Sequence, residues 1–315
     1  MAERPPAGEV RDGTDDRSTV RWGEPHRQPA GQMGGVMLTP ITPARAPEAV
    51  SLLVEGFPER GAAFWQRSLQ QILDWPGNAL AGYPPGFFWL EKEQPVGILL
   101  TPASPRGGPG GRVVVNVSSW YLRADFRWKA PLMLRAVFRD PGPVFTDLTP
   151  TPEVQAMLPA FGFRPVNPGI GLQLTPLLAL RPGGDVRVRA WQPDDRLDGA
   201  APPPELIARN RDRGFATLVV EQGPDRHLCV FRPFRYRALP AAFSIFIGSH
   251  AALPAAWPAI ARHLLARGIL VVQCDVRADV PHPLALRRRG LWFAKGESFD
   301  DRTDHLGSEL CLLDL

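Results

Sequence analysis

Hydrophobic positions along this chain alternate between two periods. In "VMLTPITPARAPEAVSLLVEGF" a short apolar run is followed, from about Ala44 to Gly56, by leucine and valine at helical spacing, which predicts a strand at Met37–Ile41 and then a helix. A second helix is predicted for "GAAFWQRSLQQILDW", with Phe64, Trp65, Leu69, Ile72 and Leu73 on one broad face. In "GFFWLEKEQPVGILLTP" two apolar runs flank a charged tetrapeptide, the pattern of a β-hairpin. After the glycine-rich loop "SPRGGPGGR", the β-branched run "RVVVNVSSWYL" predicts one long strand. Then "PLMLRAVF" reads as a helix with proline in its first turn, "PVFTDL" as a strand, "PEVQAMLPAF" as a helix, and "GFRPV" as the start of a last strand. The predicted order is β-α-α-β-β-β-α-β-α-β.

A repeat extends this pattern to the rest of the chain. "VFTDL" at Val144–Leu148 is matched by "VQCDV" at Val272–Val276, and Gly162 by Gly290; 275 − 147 and 290 − 162 both equal 128. The same offset carries the strand ending near Ser119 onto "FSIFIGS" (Phe243–Ser249) and the helix Pro131–Phe138 into "PAAWPAIARHLLARG". The expectation is an α/β chain of two tandem units, each a mixed, mostly antiparallel sheet flanked by helices. They run over 37–178 and 186–315, with 179–185 as linker. Residues 1–36 hold proline, glycine and charge with hardly any large apolar side chain, so they cannot offset their ordering entropy and are expected to be a disordered extension. Met33 and Met37 are alternative starts.

Composition narrows the function classes. With 315 residues, 44% hydrophobic and 22% charged, the chain is globular and long enough for two cores. No apolar run approaches the roughly 18 residues of a membrane span, and the N-terminus lacks a signal-peptide core, so a cytoplasmic protein without a membrane partner is expected. Cys229, Cys274 and Cys311 are widely spaced and read as buried, reduced thiols. His250, His263, His282 and His305 lack ligand spacing, so no metal is expected. "TDHLGSE" brings Asp304, His305 and Glu309 together without a serine or cysteine elbow, which argues against a hydrolytic triad. The net charge of +4, the runs "RNRDR" and "RRRG", and the alternation of Arg232, Phe234, Arg235, Tyr236 and Arg237 raise nucleic-acid binding. Interspersed acidic residues and the look of a half-buried strand with an arginine-bearing outer face argue against it, and no nucleic acid is expected.

Lysine occurs only at Lys92, Lys129 and Lys295, yet "SSWYLRADFRWKAPLMLR" places Arg127 and Lys129 in a turn between strand and helix. Exposed backbone N–H groups and the helix dipole make such a turn an anion site, which the two cations would strengthen. The order of elements, the hairpin with "PVG" before its second strand, and the strand-turn-helix followed by "FTDL…AFGF" resemble the GNAT superfamily of acyl-CoA N-acyltransferases. In that family a Q/R-x-x-G-x-G/A turn holds the CoA pyrophosphate, and the preceding strand binds pantetheine through its backbone. The resemblance places Arg127 at the first position of the turn, with Lys129 and Pro131 beside it. Ala130 replaces the first glycine and Leu132 the last. Trp120, Tyr121 and Leu122 would lie along pantetheine, and Trp128 would cover the adenine or guard the site. The family's tyrosine acid has no counterpart in "TPTPEVQAMLPAF".

The resemblance implies transfer of an acetyl or other acyl group from acyl-CoA to a small-molecule or peptide amine, with acyl-CoA as co-substrate and no metal. Such a transferase needs a base for the amine. Asp147 and Glu153 are the nearest carboxylates in the expected region; the alternative, which the residue type favours, is Asp147 as a strand-end residue satisfied by amides and Glu153 as a helix-dipole partner. Ser118 and Ser119 could polarise the thioester or be ordinary hydrogen-bonding strand residues. Tyr121 could be an acid or a packing residue, and Arg127 and Lys129 a solvated turn. The second copy has Ala255 at the position of Arg127 and no basic residue near its turn, so it is expected to lack a cofactor site and to shape the acceptor cleft. The alternative is a catalytically silent tandem domain that binds a ligand or protein partner.

Overall fold

Helical and strand periods fall largely where the sequence puts them. A computed structural model describes residues 37–107, 111–166, 169–199, 201–276, 285–287, 292–296 and 303–313. Strand β1 (Met37–Pro40) leads into helices α1 (Ala46–Gly56) and α2 (Gly61–Leu73), then α3 (Pro76–Ala81), a short helix that the periodicity does not predict. Trp65, Leu69 and Ile72 of α2 are buried, each gaining about 1.5–3 kcal/mol from leaving water. The hairpin forms from β2 (Gly86–Glu91) and β3 (Gln94–Leu100). Glu91 faces Gln94, and Lys92 and Glu93 turn the chain at φ 46° and 68°.

The long strand expected over 112–122 is two strands. After β4 (Ala103–Arg106), β5 (Arg112–Asn116) pairs with β4 and β6 (Ser118–Leu122) with β3, and the register slips between Ile98 and Leu100. Ser119 sits at φ 48°, so the strand kinks at a bulge. Next come α4 (Ala130–Val137), β7 (Val144–Asp147), α5 (Pro152–Met157), β8 (Arg164–Pro165), β9 (Gly169–Leu174) and α6 (Thr175–Ala179). Gly162, at φ 84°, caps the 3₁₀ turn after α5.

The second half contains β10 (Arg187–Ala190), α7 (Pro204–Asp212), β11 (Ala216–Gln222), β12 (Asp225–Tyr236), β13 (Leu239–Ile247), α8 (Leu253–Ala266) and β14 (Val271–Val276). The short elements β15 (Ala285–Arg287), β16 (Phe293–Lys295), β17 (Thr303–Asp304) and α9 (Glu309–Leu312) follow. The 128-residue offset holds to the residue in the parallel pairs: Val114 opposite Val144 in the first half becomes Ala242 opposite Val272 in the second. Gly290, the other anchor of the repeat, His282 and the 1–36 extension lie outside the described residues.

The sheets do not respect the linker between the units. The first half's β9 pairs with β14 in the second half's sheet, order β10-β11-β12-β13-β14-β9-β15. In return, β16 sits between β7 and β8 of the first, order β4-β5-β7-β16-β8. Each half thus completes its sheet with a strand of the other. A shared core lies between them: Leu52, Trp65 and Ile98 from one side, Ile207, Val230 and Phe246 from the other, and Leu306, Cys311, Leu312 and Leu313 from the chain's last described segment. All three cysteines are buried, and burial pushes the Cys229 thiol up to about 12.

Candidate active site

A gap opens where the kinked strand leaves its parallel neighbour. β5 runs beside β7 as far as Asn116 opposite Thr146, and the Val117 N–H donates to the Thr146 carbonyl (2.7 Å). Beyond that bond β6 follows β3 away from β7, leaving a cavity of about 210 Å³. Phe57 and Trp65 wall it on the α1–α2 side, with Trp120, Leu134 and Phe138 among its other walls. Ser118, Ser119, Asp147 and Glu309 supply polar lining, and Glu59 and Arg60 are exposed residues that also border it.

The chemistry of the gap centres on two buried carboxyls far apart in the sequence, Asp147 and Glu309. Burial pushes the Asp147 carboxyl well above the usual carboxylate range, and the charge of Glu309 adds to this; the Thr149 backbone N–H, which donates to it, works the other way. Burial also raises Glu309, against hydrogen bonds from the Ser118 and Thr149 hydroxyls and the charge of His305. The Thr149 hydroxyl donates to Glu309 Oε1 (2.6 Å), and the Glu309 N–H donates to Asn116 Oδ1 (3.0 Å). Burial disfavours the charged form of both carboxyls, and the charge of Glu309 adds to this at Asp147, so the pair favours holding a proton.

This arrangement has a signature in stability. A carboxyl raised on folding contributes its full share of stability below its unfolded value, about 4, and that share is lost as pH rises through the folded value. Asp147→Asn should therefore gain on the wild type as pH rises from about 4 to 8 in urea unfolding. The exposed carboxylates are common to both proteins and cancel in the difference. Parallel stability curves across that range would refute the shift.

The other predicted residues divide between the gap and elsewhere. Ser119 and Trp120 line it, and the Trp120 indole N–H is buried without a partner among the described residues. Leu122 instead points into the first half's core, against Gly97. Tyr121 turns to α1, where its hydroxyl donates to Glu55 Oε1 (2.9 Å), so it is not placed as an acid in the gap. Glu153 is exposed in the first turn of α5, its carboxylate held by its own backbone N–H and the Thr151 hydroxyl. The turn is tighter than expected. Ala124–Lys129 winds as a 3₁₀ helix into α4, which begins at Ala130 and Pro131. Lys129 is committed to Glu91 on β2. Arg127 is exposed and has no partner among the described residues. Leu132 and Trp128 are 41% and 69% exposed and leave the gap open.

Sequence reasoning missed Glu309, Phe57 and Trp65. Glu309 was visible only within "TDHLGSE", and nothing local ties that segment to Asp147.

No family model matches the sequence, and no curated protein matches it. Solved structures do. A GCN5-related N-acetyltransferase from Kribbella flavida aligns with a TM-score of 0.55 at 14% identity, covering 82% of this chain and 71% of that one. One from Anabaena variabilis aligns at 0.52 and 11% identity, covering 82% and 72%. Matches of that length take in both halves, and the chain has the fold of the GCN5-related N-acetyltransferases, built here as two tandem units that exchange a strand.

Proposed function

We propose that the first half binds acyl-CoA along β6 and transfers its acyl group to an amine in the gap between β6 and β7. The observation that carries this is the parting of the strands at Val117 beside two buried carboxyls. The gap also suits the co-substrate: Leu132 and Trp128 stay out of it, and among the described residues no strand pairs the β7 side of β6 beyond Val117 and Arg127 makes no hydrogen bond or ion pair. Acyl-CoA supplies the thioester. Asp147 and Glu309 accept the proton that the amine nitrogen loses as it bonds to the thioester carbon, and the C–S bonding pair leaves with CoA as a thiolate, which the carboxyl pair then reprotonates. Ser119, at the bulge, is the hydroxyl proposed to polarise the thioester. Trp120, Ala130, Pro131 and Leu132 flank the co-substrate's path from pantetheine to pyrophosphate.

The second reading is a silent domain that binds a ligand or protein partner. Three observations favour it: Lys129 is spent on Glu91, the turn is wound into a 3₁₀ helix, and a leucine stands at the last glycine position. Calorimetric titration of the full chain with acetyl-CoA and a long-chain acyl-CoA decides between them. Micromolar binding is expected, weakened by about 1.5–3 kcal/mol in Arg127→Ala through loss of one charged hydrogen bond. Absence of heat and of thermal stabilisation with both thioesters would remove the enzyme reading.

A further inference from the structure

The segment Thr303–Leu313 belongs to neither half alone. In the second half β13 parts from β14 after Phe243 opposite Gln273, as β5 parts from β7 in the first. There β17 adds to β13, with Phe246 opposite Asp304 and Ile247 opposite Thr303. The segment therefore takes the strand edge that corresponds to β6 in the first half. It then crosses to the first half, where Glu309 and Leu313 line the gap.

Arginines from two strands, β4 and β12, and from the C-terminal cap of α7 hold this arm by its carbonyls. Arg106 Nη2 donates to the Leu306 carbonyl (2.9 Å), Arg213 Nη1 to that of Cys311 (2.9 Å) and Arg232 Nη1 to that of Leu310 (2.5 Å). Between the two clefts lies His305, 1% exposed, stacked on Phe243 and edge-on to Trp292. Its Nε2 is bonded to Asp275 Oδ2, and its Nδ1 is buried without a partner among the described residues. Asp275 is the repeat counterpart of Asp147, 128 residues on. The arm thus meets the same aspartate position twice, with His305 in one half and Glu309 in the other.

We infer that His305 and Asp275 are positioning residues for Glu309: the second half holds the arm through this pair and so sets the carboxyl in the first half's gap. The inference rests on the reading of that gap as the site of amine acylation. Asp275 braces the ring by one nitrogen, and the charge of His305 favours ionised Glu309. The charged and titratable groups around His305 are Asp275 on β14, Asp304 and Glu309 on its own segment, Arg106 paired to Asp304, His250 bonded to Thr303, and Asp147 beyond Glu309. A brace that fixes a base in its working orientation is how such sites hold precision.

Infrared titration of buried carboxyls in the full chain tests this without an acceptor. The Glu309 band is assigned by its loss in Glu309→Gln. In His305→Gln, where the amide can keep the bond to Asp275 but carries no charge, Glu309 should hold its proton to higher pH than in the wild type. Asp275→Asn, which strips the ring of its anionic brace, should shift it the same way and serves if the first variant does not fold. An unchanged Glu309 titration in whichever variants fold would overturn the inference. Acetyl-CoA calorimetry on His305→Gln and Asp275→Asn should be unchanged. If the wild type itself does not bind acetyl-CoA, the functional reading fails while the carboxyl titration still reports on His305.

Discussion

Glu309→Gln is expected to lower kcat/KM for amine acylation about 10²–10⁴-fold, the range a positioned base contributes, while leaving acyl-CoA affinity unchanged. Glutamine keeps the size of the side chain and can still accept the Thr149 hydroxyl bond, so the arm should stay in place. What it cannot do is take the proton. Asp147→Asn should act on the same step, and the double variant should fall little further than the worse single, because groups that share one proton work as a unit. The assay is release of CoA thiol from acetyl-CoA with the amine that the wild type acylates fastest. Full activity in Glu309→Gln would remove Glu309 from the chemistry and leave it as a buried structural carboxyl.

Much of the fold was legible because local rules and the repeat agree. The periodicity of "PEAVSLLVEGF", the charged tetrapeptide of the hairpin and the proline at the head of α4 each specify an element without tertiary help. The 128-residue echo, read from an aspartate and a glycine, predicts the parallel pairing of the second half to the residue. Three features escaped because they depend on contacts remote in sequence. The break at Val117 lies inside an unbroken β-branched run, and it follows from pairing with two different partners on either side. The exchange of β9 and β16 leaves no local mark, since a strand reads the same whichever sheet takes it. The role of Glu309 depends on an arm that crosses the molecule. Asp147 and Ser119 border the gap at strand-end and strand-turn positions that are local, whereas Tyr121 and Leu122 face elsewhere because the bulge resets which face each residue takes. Arginine runs that suggested nucleic acid include Arg213 and Arg232, which hold the arm.

The largest stability effect should come from the ion pair at the root of that arm. Arg106 and Asp304 are 2% and 6% exposed, and the contact is a two-pronged fork: Nε to Oδ2 at 2.7 Å and Nη2 to Oδ1 at 2.6 Å. Nη1 also donates to the Pro105 carbonyl (2.8 Å), and Nη2 to that of Leu306, so most of the guanidinium's donors are satisfied where water is absent. Removing one partner leaves the other charge buried and uncompensated. Asp304→Asn is therefore expected to cost about 3–5 kcal/mol in urea unfolding. Arg106→Met should cost a similar amount and also free the Leu306 carbonyl. The double variant Arg106→Met with Asp304→Leu should lose much less than the sum of the singles, because an apolar pair carries no stranded charge. A cost below about 1 kcal/mol for Asp304→Asn would mean that water reaches the fork and that it behaves as a surface pair. Activity separates anchoring from mere stability. If the arm mounts Glu309, the double variant should regain stability without regaining full amine acylation, since the fork that fixes Asp304 in β17 also fixes the start of the path to the gap.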